Sequence, residues 1–168
     1  VLWLLDTAPE ARRNLAMIAQ QADLDPARLV FAPQMEKPSH IERLALADIC
    51  LDPLICNGHT TTTDALWAGV PVIARYGQHF ASRVAASVLE AAGADALVCQ
   101  SVDEYHRLAT RLATAPEELA AWHQRLINGR QDSRLFNTAA HTRMLERAYV
   151  MVHEDRVAGE PPKAITID

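Results

Sequence analysis

Short, almost unbroken apolar runs alternate along this chain with stretches whose apolar residues recur every three or four positions. The apolar runs are Val1–Leu5, Leu29–Ala32, Ile49–Asp52, Val70–Ala74 and Ala96–Cys99. They read as strands, and their continuity predicts burial on both faces, as in a parallel sheet. Helical periods fill Pro9–Ala22, Ser39–Ala47, Thr63–Ala68, Ala81–Ala92, Val102–Thr114, Pro116–Gly129 and Ala139–Ala158. Strands alternating with helices predict an α/β fold with a parallel sheet flanked by helices. Four capping boxes mark helix starts: Thr7 with Glu10, Ser39 with Glu42, Ser101 with Glu104 and Thr114 with Glu117. After Cys99 no further strand is expected, and the C-terminal third reads as helical with an extended joint at Ser133–Asn137. Gly159-Glu160-Pro161-Pro162 stops the last helix. The organisation expected is one lobe over residues 1–158 and a mobile tail over 159–168.

Composition narrows this picture. With 168 residues and 49% hydrophobic content, the chain is long enough for one domain with a real core. A net charge of −5 argues against nucleic acid as the main partner. Three cysteines scattered among apolar residues suggest reduced thiols and a cytoplasmic setting rather than a disulfide framework. No apolar run approaches the ~20 residues that span a bilayer, so no membrane partner is expected. The chain opens at Val1, without Met and inside a strand-like run, and therefore reads as a piece of something longer. No phosphate-binding P-loop, nucleophile elbow or dinucleotide fingerprint is present. Cys50, Cys56 and His59 lack zinc-site spacing, so no metal is expected.

The chemistry concentrates in Cys56-Asn57-Gly58-His59-Thr60-Thr61-Thr62-Thr63-Asp64. This stretch follows a strand and precedes the helical run Ala65-Leu66-Trp67-Ala68. A helix start presents backbone N–H groups without internal partners and a partial positive charge, which suits a diphosphate without a metal. The same threonines also serve as plain helix caps. Asp64 is expected in the first turn, placed to accept hydrogen bonds from sugar hydroxyls. A second cluster is Lys37, His40 and Arg43. Lys37 lies in the loop after the second strand, and His40 and Arg43 share a helix face. In an open parallel sheet such loops line the ligand crevice, although the cluster also fits a solvated basic face. Arg83 reads either as orienting the loop before it or as a structural helix-start arginine. Trp3, Trp67 and Trp122 read as packing residues.

The threonine loop, with Trp67-Ala68-Gly69-Val70-Pro71-Val72 after it, resembles the sugar-nucleotide site of the O-linked N-acetylglucosamine transferases. The resemblance is to the bacterial, tetratricopeptide-repeat-associated branch, and it covers almost the whole chain. It includes Val1-Leu2-Trp3-Leu4-Leu5, Phe31-Ala32-Pro33, Lys37 through His40 to Arg43, and Ala47-Asp48-Ile49-Cys50-Leu51-Asp52. Ser82-Arg83-Val84-Ala85-Ala86-Ser87 and Leu135-Phe136-Asn137-Thr138 also match.

The resemblance implies the Rossmann-like C-terminal lobe of a two-lobed glycosyltransferase of the GT-B type. It implies transfer of N-acetylglucosamine from uridine diphosphate N-acetylglucosamine (UDP-GlcNAc) to serine or threonine hydroxyls of a protein acceptor. It assigns His59, Thr60 and Thr61 to the donor diphosphate and Asp64 to the ribose hydroxyls. Lys37, His40 and Arg43 would surround uracil and ribose, with the backbone near Met35 pairing with uracil edges. Met35-Glu36 departs from the small residue and proline expected there. No cofactor or metal is implied. The acceptor-side catalytic residues would lie in the other lobe, leaving this chain by itself inactive. A first lobe strand would precede Val1, leaving a gap between the strands at Val1 and Ile49. Tetratricopeptide repeats would precede that lobe.

Two other functions stay open on sequence. One is a different GT-B nucleotide-sugar enzyme, such as an epimerase or a small-molecule transferase. The other is a degenerate lobe kept for partner binding. Helical repeats of ~34 residues upstream would favour the protein acceptor.

Overall fold

The computed structural model describes residues 1–167. Asp168, the last residue of the expected tail, lies outside the described residues. The chain forms two compact units, one over Val1–Arg43 and one from Leu44 onward.

In the first unit, β1 (Leu2–Leu5) pairs in parallel with β2 (Leu29–Ala32), Leu2 opposite Leu29 and Leu5 opposite Ala32. Helix α1 (Pro9–Gln21) makes the crossover between them, and α2 (Lys37–Leu44) follows β2. The expectation that every strand is buried on both faces fails here. Leu2, Leu5 and Val30 are exposed, as are Leu15, Met17 and Ile18 on α1. A sheet of two strands has too little surface to cover its own apolar side chains.

The second unit holds a parallel sheet of order β3-β4-β5, made by β3 (Cys50–Leu51), β4 (Val72–Arg75) and β5 (Val98–Cys99). Its helices are α3 (Thr60–Trp67), α4 (Val84–Ala91), α5 (Val102–Thr114), α6 (Pro116–Gly129) and α7 (Thr138–Val157). No strand follows β5 among the described residues, as expected. The central strand β4 does match the prediction of two-sided burial, with Val72, Ile73 and Ala74 fully enclosed. Leu66, Leu89, Leu97 and Leu112 complete the core around it. The strands at Val1 and at Ile49 belong to different sheets.

Helix boundaries expose what the capping boxes missed. Ser101 caps α5 as predicted, accepting the Glu104 N–H at 3.1 Å, and Glu104 reaches back to the Gln100 N–H at 2.7 Å. The other three boxes do not form. Ala8 and Ala115 occupy the N-cap positions of α1 and α6, with Pro9 and Pro116 setting the first turn instead. Helix α2 already begins at Lys37, which puts Ser39 inside it. The C-terminus of α3 closes through Gly69, at φ +85°, with the Val70 N–H donating to Ala65 O at 2.9 Å. A Cβ at Gly69 would also lie 2.6 Å from Ile127 Cγ1, so both conformation and space demand glycine.

Trp67 departs from its expected core position. It is 41% exposed, with its ring edge-on to Phe136 and the Arg130 guanidinium 4.8 Å from its centroid. Lys163 pairs with Asp155 at 3.0 Å, laying part of the terminal segment along α7. Among the described residues, no helix is long and apolar enough to cross a membrane.

The core assignment sets a stability test. Leu89 is fully buried, so Leu89→Ala is expected to cost about 2–5 kcal/mol by lost transfer energy and cavity formation. Ile55 is 86% exposed, and Ile55→Ala is expected to stay within about 0.5 kcal/mol. Urea unfolding of the two variants measures the contrast, and equal losses would refute this core.

Candidate functional site

The threonine loop is built from β3 outward. Asp52 continues the strand, its N–H donating to Ile73 O at 3.0 Å. Its side chain, only 3% exposed, turns under the loop. Asp52 Oδ1 accepts the Gly58 N–H at 2.8 Å and the Thr62 hydroxyl at 3.4 Å. Asn57 fixes the neighbouring turn. Its N–H donates to Ala81 O at 2.7 Å, its amide Nδ2 to Pro53 O at 3.0 Å, and its Oδ1 accepts the Ala85 N–H at 3.4 Å. The loop is thereby tied to the start of α4. Gly58 is enclosed: a Cβ there would meet Thr61 Oγ1 and Thr62 Oγ1, each at 2.5 Å.

Helix α3 then begins at Thr60, three residues earlier than the pattern predicts. The threonine run is the first turn of the helix rather than a loop before it. His59 is the N-cap, and its side chain does not cap the helix. The N–H groups of Thr60–Thr62 have no acceptor within the helix, and they stand where its dipole is positive. Thr60 and Thr61 are exposed, whereas Thr62 is buried on Asp52 and Thr63 donates its hydroxyl to His59 O at 3.1 Å. His59 is exposed and meets the Phe80 ring edge-on, with centroids 5.9 Å apart.

The earlier helix start moves Asp64 out of the first turn, contrary to expectation. It lies one turn in and is 9% exposed. Dipole stabilisation fades beyond the first turn, so the helix terminus alone gives little reason for a carboxylate there.

Met35, Lys37, His40 and Arg43 lie in the first unit. Arg43 Nη1 donates to Pro33 O at 2.8 Å, tying α2 back to the loop after β2. Arg43 Nη2 stands 3.3 Å from His40 Nδ1, and the guanidinium lies 5.3 Å from the centre of the Trp3 ring. His40 and Arg43 therefore do share a face, as their spacing predicts. Lys37 is exposed at the first position of α2 rather than in the preceding loop, and Met35 is exposed within that loop. Arg83 is exposed at the N-cap of α4.

Sequence reasoning missed Asp52, which reads as an ordinary strand end. The signal was its spacing, with Gly58 six residues on and Thr62 ten residues on. Burial pushes the Asp52 carboxyl above its ordinary value of 3.8, against the Gly58 N–H, the Thr62 and Asn57 side chains and the His59 charge, which lower it. A raised acid favours its protonated form in the fold. Its stabilisation is fully present below about pH 3.8 and is lost as pH rises through the higher folded value. Tyr105 on α5 donates its hydroxyl to Asp52 O at 3.1 Å. Burial first, and the Asp52 charge second, push Tyr105 up to about 12. The same causes push the Cys50 thiol up to about 11, which keeps it unreactive at neutral pH. Among the described residues, no group of histidine, cysteine, aspartate and glutamate side chains is placed to hold a metal ion.

The arrangement can hold an anion at the start of α3 through backbone N–H groups and two exposed hydroxyls. Comparison with known proteins agrees with the resemblance. Glycosyl transferase family 41 matches residues 1–145. A UDP-N-acetylglucosamine–peptide N-acetylglucosaminyltransferase of Caenorhabditis elegans is 35% identical over 166 residues, 99% of this chain and 14% of that protein. A probable enzyme of the same name from Arabidopsis thaliana is 35% identical over 163 residues, 96% of this chain and 17% of that protein. A solved structure of a mutant O-GlcNAc transferase from Thermobaculum terrenum superposes with a TM-score of 0.77 at 28% identity, over 88% of this chain and 29% of that one. This chain thus spans a small part of the relatives it matches.

The enclosed glycine gives a test of the loop. Gly58→Ala forces a Cβ against two threonine hydroxyls and is expected to destabilise by about 1–3 kcal/mol through overpacking. Thermal unfolding checks this, and an unchanged midpoint would show that the loop has room to spare.

Proposed function

The chain belongs to glycosyl transferase family 41, and from that premise we propose that it is the donor-binding part of an enzyme that moves N-acetylglucosamine from UDP-GlcNAc to protein serine or threonine hydroxyls. The observation that carries this reading is the start of α3, where exposed Thr60 and Thr61 flank N–H groups that the N-cap side chain leaves uncapped. His59, Thr60 and Thr61 take the diphosphate, and Asp64 takes the ribose hydroxyls. Lys37, His40 and Arg43 serve the uracil side of the nucleotide, with the backbone near Met35.

The chemistry asked of this chain is electrostatic. As the bond from sugar to diphosphate breaks, negative charge grows on the leaving phosphate oxygens. N–H groups already aimed at that position stabilise the charge without reorganising. The His59 imidazole and the threonine hydroxyls donate to the same oxygens. The helix terminus supplies the positive field that a divalent cation supplies elsewhere, so the reaction needs no metal. Acceptor activation belongs to residues outside this chain. The parent enzyme carries tetratricopeptide repeats and works in the cytoplasm on protein acceptors.

Two measurements test the reading. Calorimetry is expected to show uridine diphosphate binding more tightly than guanosine diphosphate, with the affinity unchanged by a chelator. Equal or tighter guanosine diphosphate binding, or loss of binding in chelator with recovery in manganese, would overturn it.

Asp64→Asn separates ribose recognition from a structural role. Hydrogen bonds to a charged acceptor contribute roughly 1.5–3 kcal/mol, so the variant is expected to lose about tenfold or more in donor affinity. The wild type should bind 2′-deoxyuridine diphosphate more weakly than uridine diphosphate, while the variant should scarcely discriminate between them. Wild-type affinity in the variant would make Asp64 structural.

A further inference from the structure

Asp52 presents a problem that the proposed function does not solve. It places a carboxylate, 97% buried by its 3% exposure, directly behind a loop read as an anion site. A negative charge there opposes anion binding, and its enclosure raises the cost of ionisation. Its Oδ2 is buried without a hydrogen-bond partner. Simple stability would be served as well by a neutral side chain, since a buried charge with an unpaired oxygen is costly.

The geometry shows what the carboxylate does instead. Oδ1 alone takes two donors from the loop, the Gly58 N–H at 2.8 Å and the Thr62 hydroxyl at 3.4 Å. Gly58 immediately precedes the N-cap His59, and Thr62 lies in the first turn of α3. The carboxylate therefore clasps the chain on both sides of His59, Thr60 and Thr61. Gly58 fits the clasp because it has no Cβ, which would come within 3.2 Å of Asp52 Oδ1. The clasp is itself anchored, since the Asp52 backbone is held by β4 through Ile73 and by α5 through Tyr105.

We propose that Asp52 is the positioning residue of the diphosphate loop, its ionised carboxylate holding the N–H groups of residues 60–62 in the geometry that receives the phosphates. The inference rests on the donor reading above and adds to it a residue that does not touch the donor. A bond from an N–H to an ionised carboxylate is roughly twice as strong as its neutral counterpart, so the charge itself maintains the clasp. The groups that face Asp52 are Gly58, Thr62, Asn57 and His59 of the loop and α3, Cys50 on β3 and Tyr105 on α5.

Nitrogen-15 NMR of the chain, wild type and Asp52→Asn, with uridine diphosphate as the probe, tests this. In the wild type, the Gly58 amide should titrate with the Asp52 carboxyl, above pH 3.8. In the variant that titration should vanish, while any contribution from His59 survives. Amide exchange at Gly58, whose N–H the carboxylate holds, should quicken about tenfold, the factor for ~1.4 kcal/mol. Uridine diphosphate should bind the variant about tenfold more weakly. The sign is decisive, because a bystander carboxylate would only repel the diphosphate, and its removal would tighten binding. Equal or tighter binding by a folded variant, or a Gly58 titration that persists in it, overturns the positioning role. If Gly58 follows Asp52 in the wild type but uridine diphosphate perturbs no amide of residues 58–62, the donor reading fails, and with it the diphosphate half of this inference. Thr62→Val gives a second route that leaves the charge in place. It removes the hydroxyl from Oδ1 with little change of shape and should weaken uridine diphosphate binding in the same direction. Unchanged affinity there would also count against the clasp.

Discussion

The chain between Leu51 and Thr60 must leave the end of a strand and enter a helix whose first N–H groups have no acceptors of their own. The bond from the Gly58 N–H to Asp52 Oδ1 sets how that entry is made. It places the helix start one side chain away from the end of β3. It also makes glycine necessary at 58, where a Cβ would collide with two threonine hydroxyls. With Gly58 and Thr62 bound to one oxygen, Thr60 and Thr61 are left facing solvent. Their exposure follows from burial of their neighbours.

The support for that loop comes from the most enclosed part of the second unit. Asp52 hangs from β4 by a backbone bond, and β4 is sealed between helices. Tyr105 reaches from α5 to the Asp52 carbonyl, and Asn57 links the loop to the start of α4. A site held by packed elements keeps its geometry more closely than one carried by mobile loops. The arrangement costs stability in the form of a buried, partly unsatisfied carboxylate, a common trade where function needs a particular charge.

Much of this architecture is legible in the sequence, because periodicity reports burial directly. β4 and the helices from α5 to α7 appear where the apolar pattern places them, whereas α4 begins at Val84, three residues after the predicted Ala81 and behind a separate turn at Phe80–Ser82. Local signals served less well. Three of four capping boxes failed because proline at the first turn, or an earlier helix start, set the terminus instead. The helix at Thr60 was placed late because four threonines read as a polar loop, and that error put Asp64 in the wrong turn. Trp67 reads as a packing residue, yet its large ring ends at the surface beneath Arg130. Asp52 was invisible as chemistry, since its role depends on contacts six and ten residues away that no periodic pattern encodes. Exposed apolar residues on β1, β2 and α1 also escaped the pattern, which registers hydrophobicity and not what covers it.

Membership of family 41 and the geometry at α3 meet in one physical claim, that backbone N–H groups at this helix start hold the donor diphosphate without a metal. A crystal structure of the chain with uridine diphosphate, grown in chelating buffer, tests that claim most directly. The account predicts phosphate oxygens within hydrogen-bond distance of the N–H groups at residues 60–62 and of the Thr60 and Thr61 hydroxyls. A diphosphate bound away from that helix start, or no bound nucleotide until a divalent cation is restored, would contradict it.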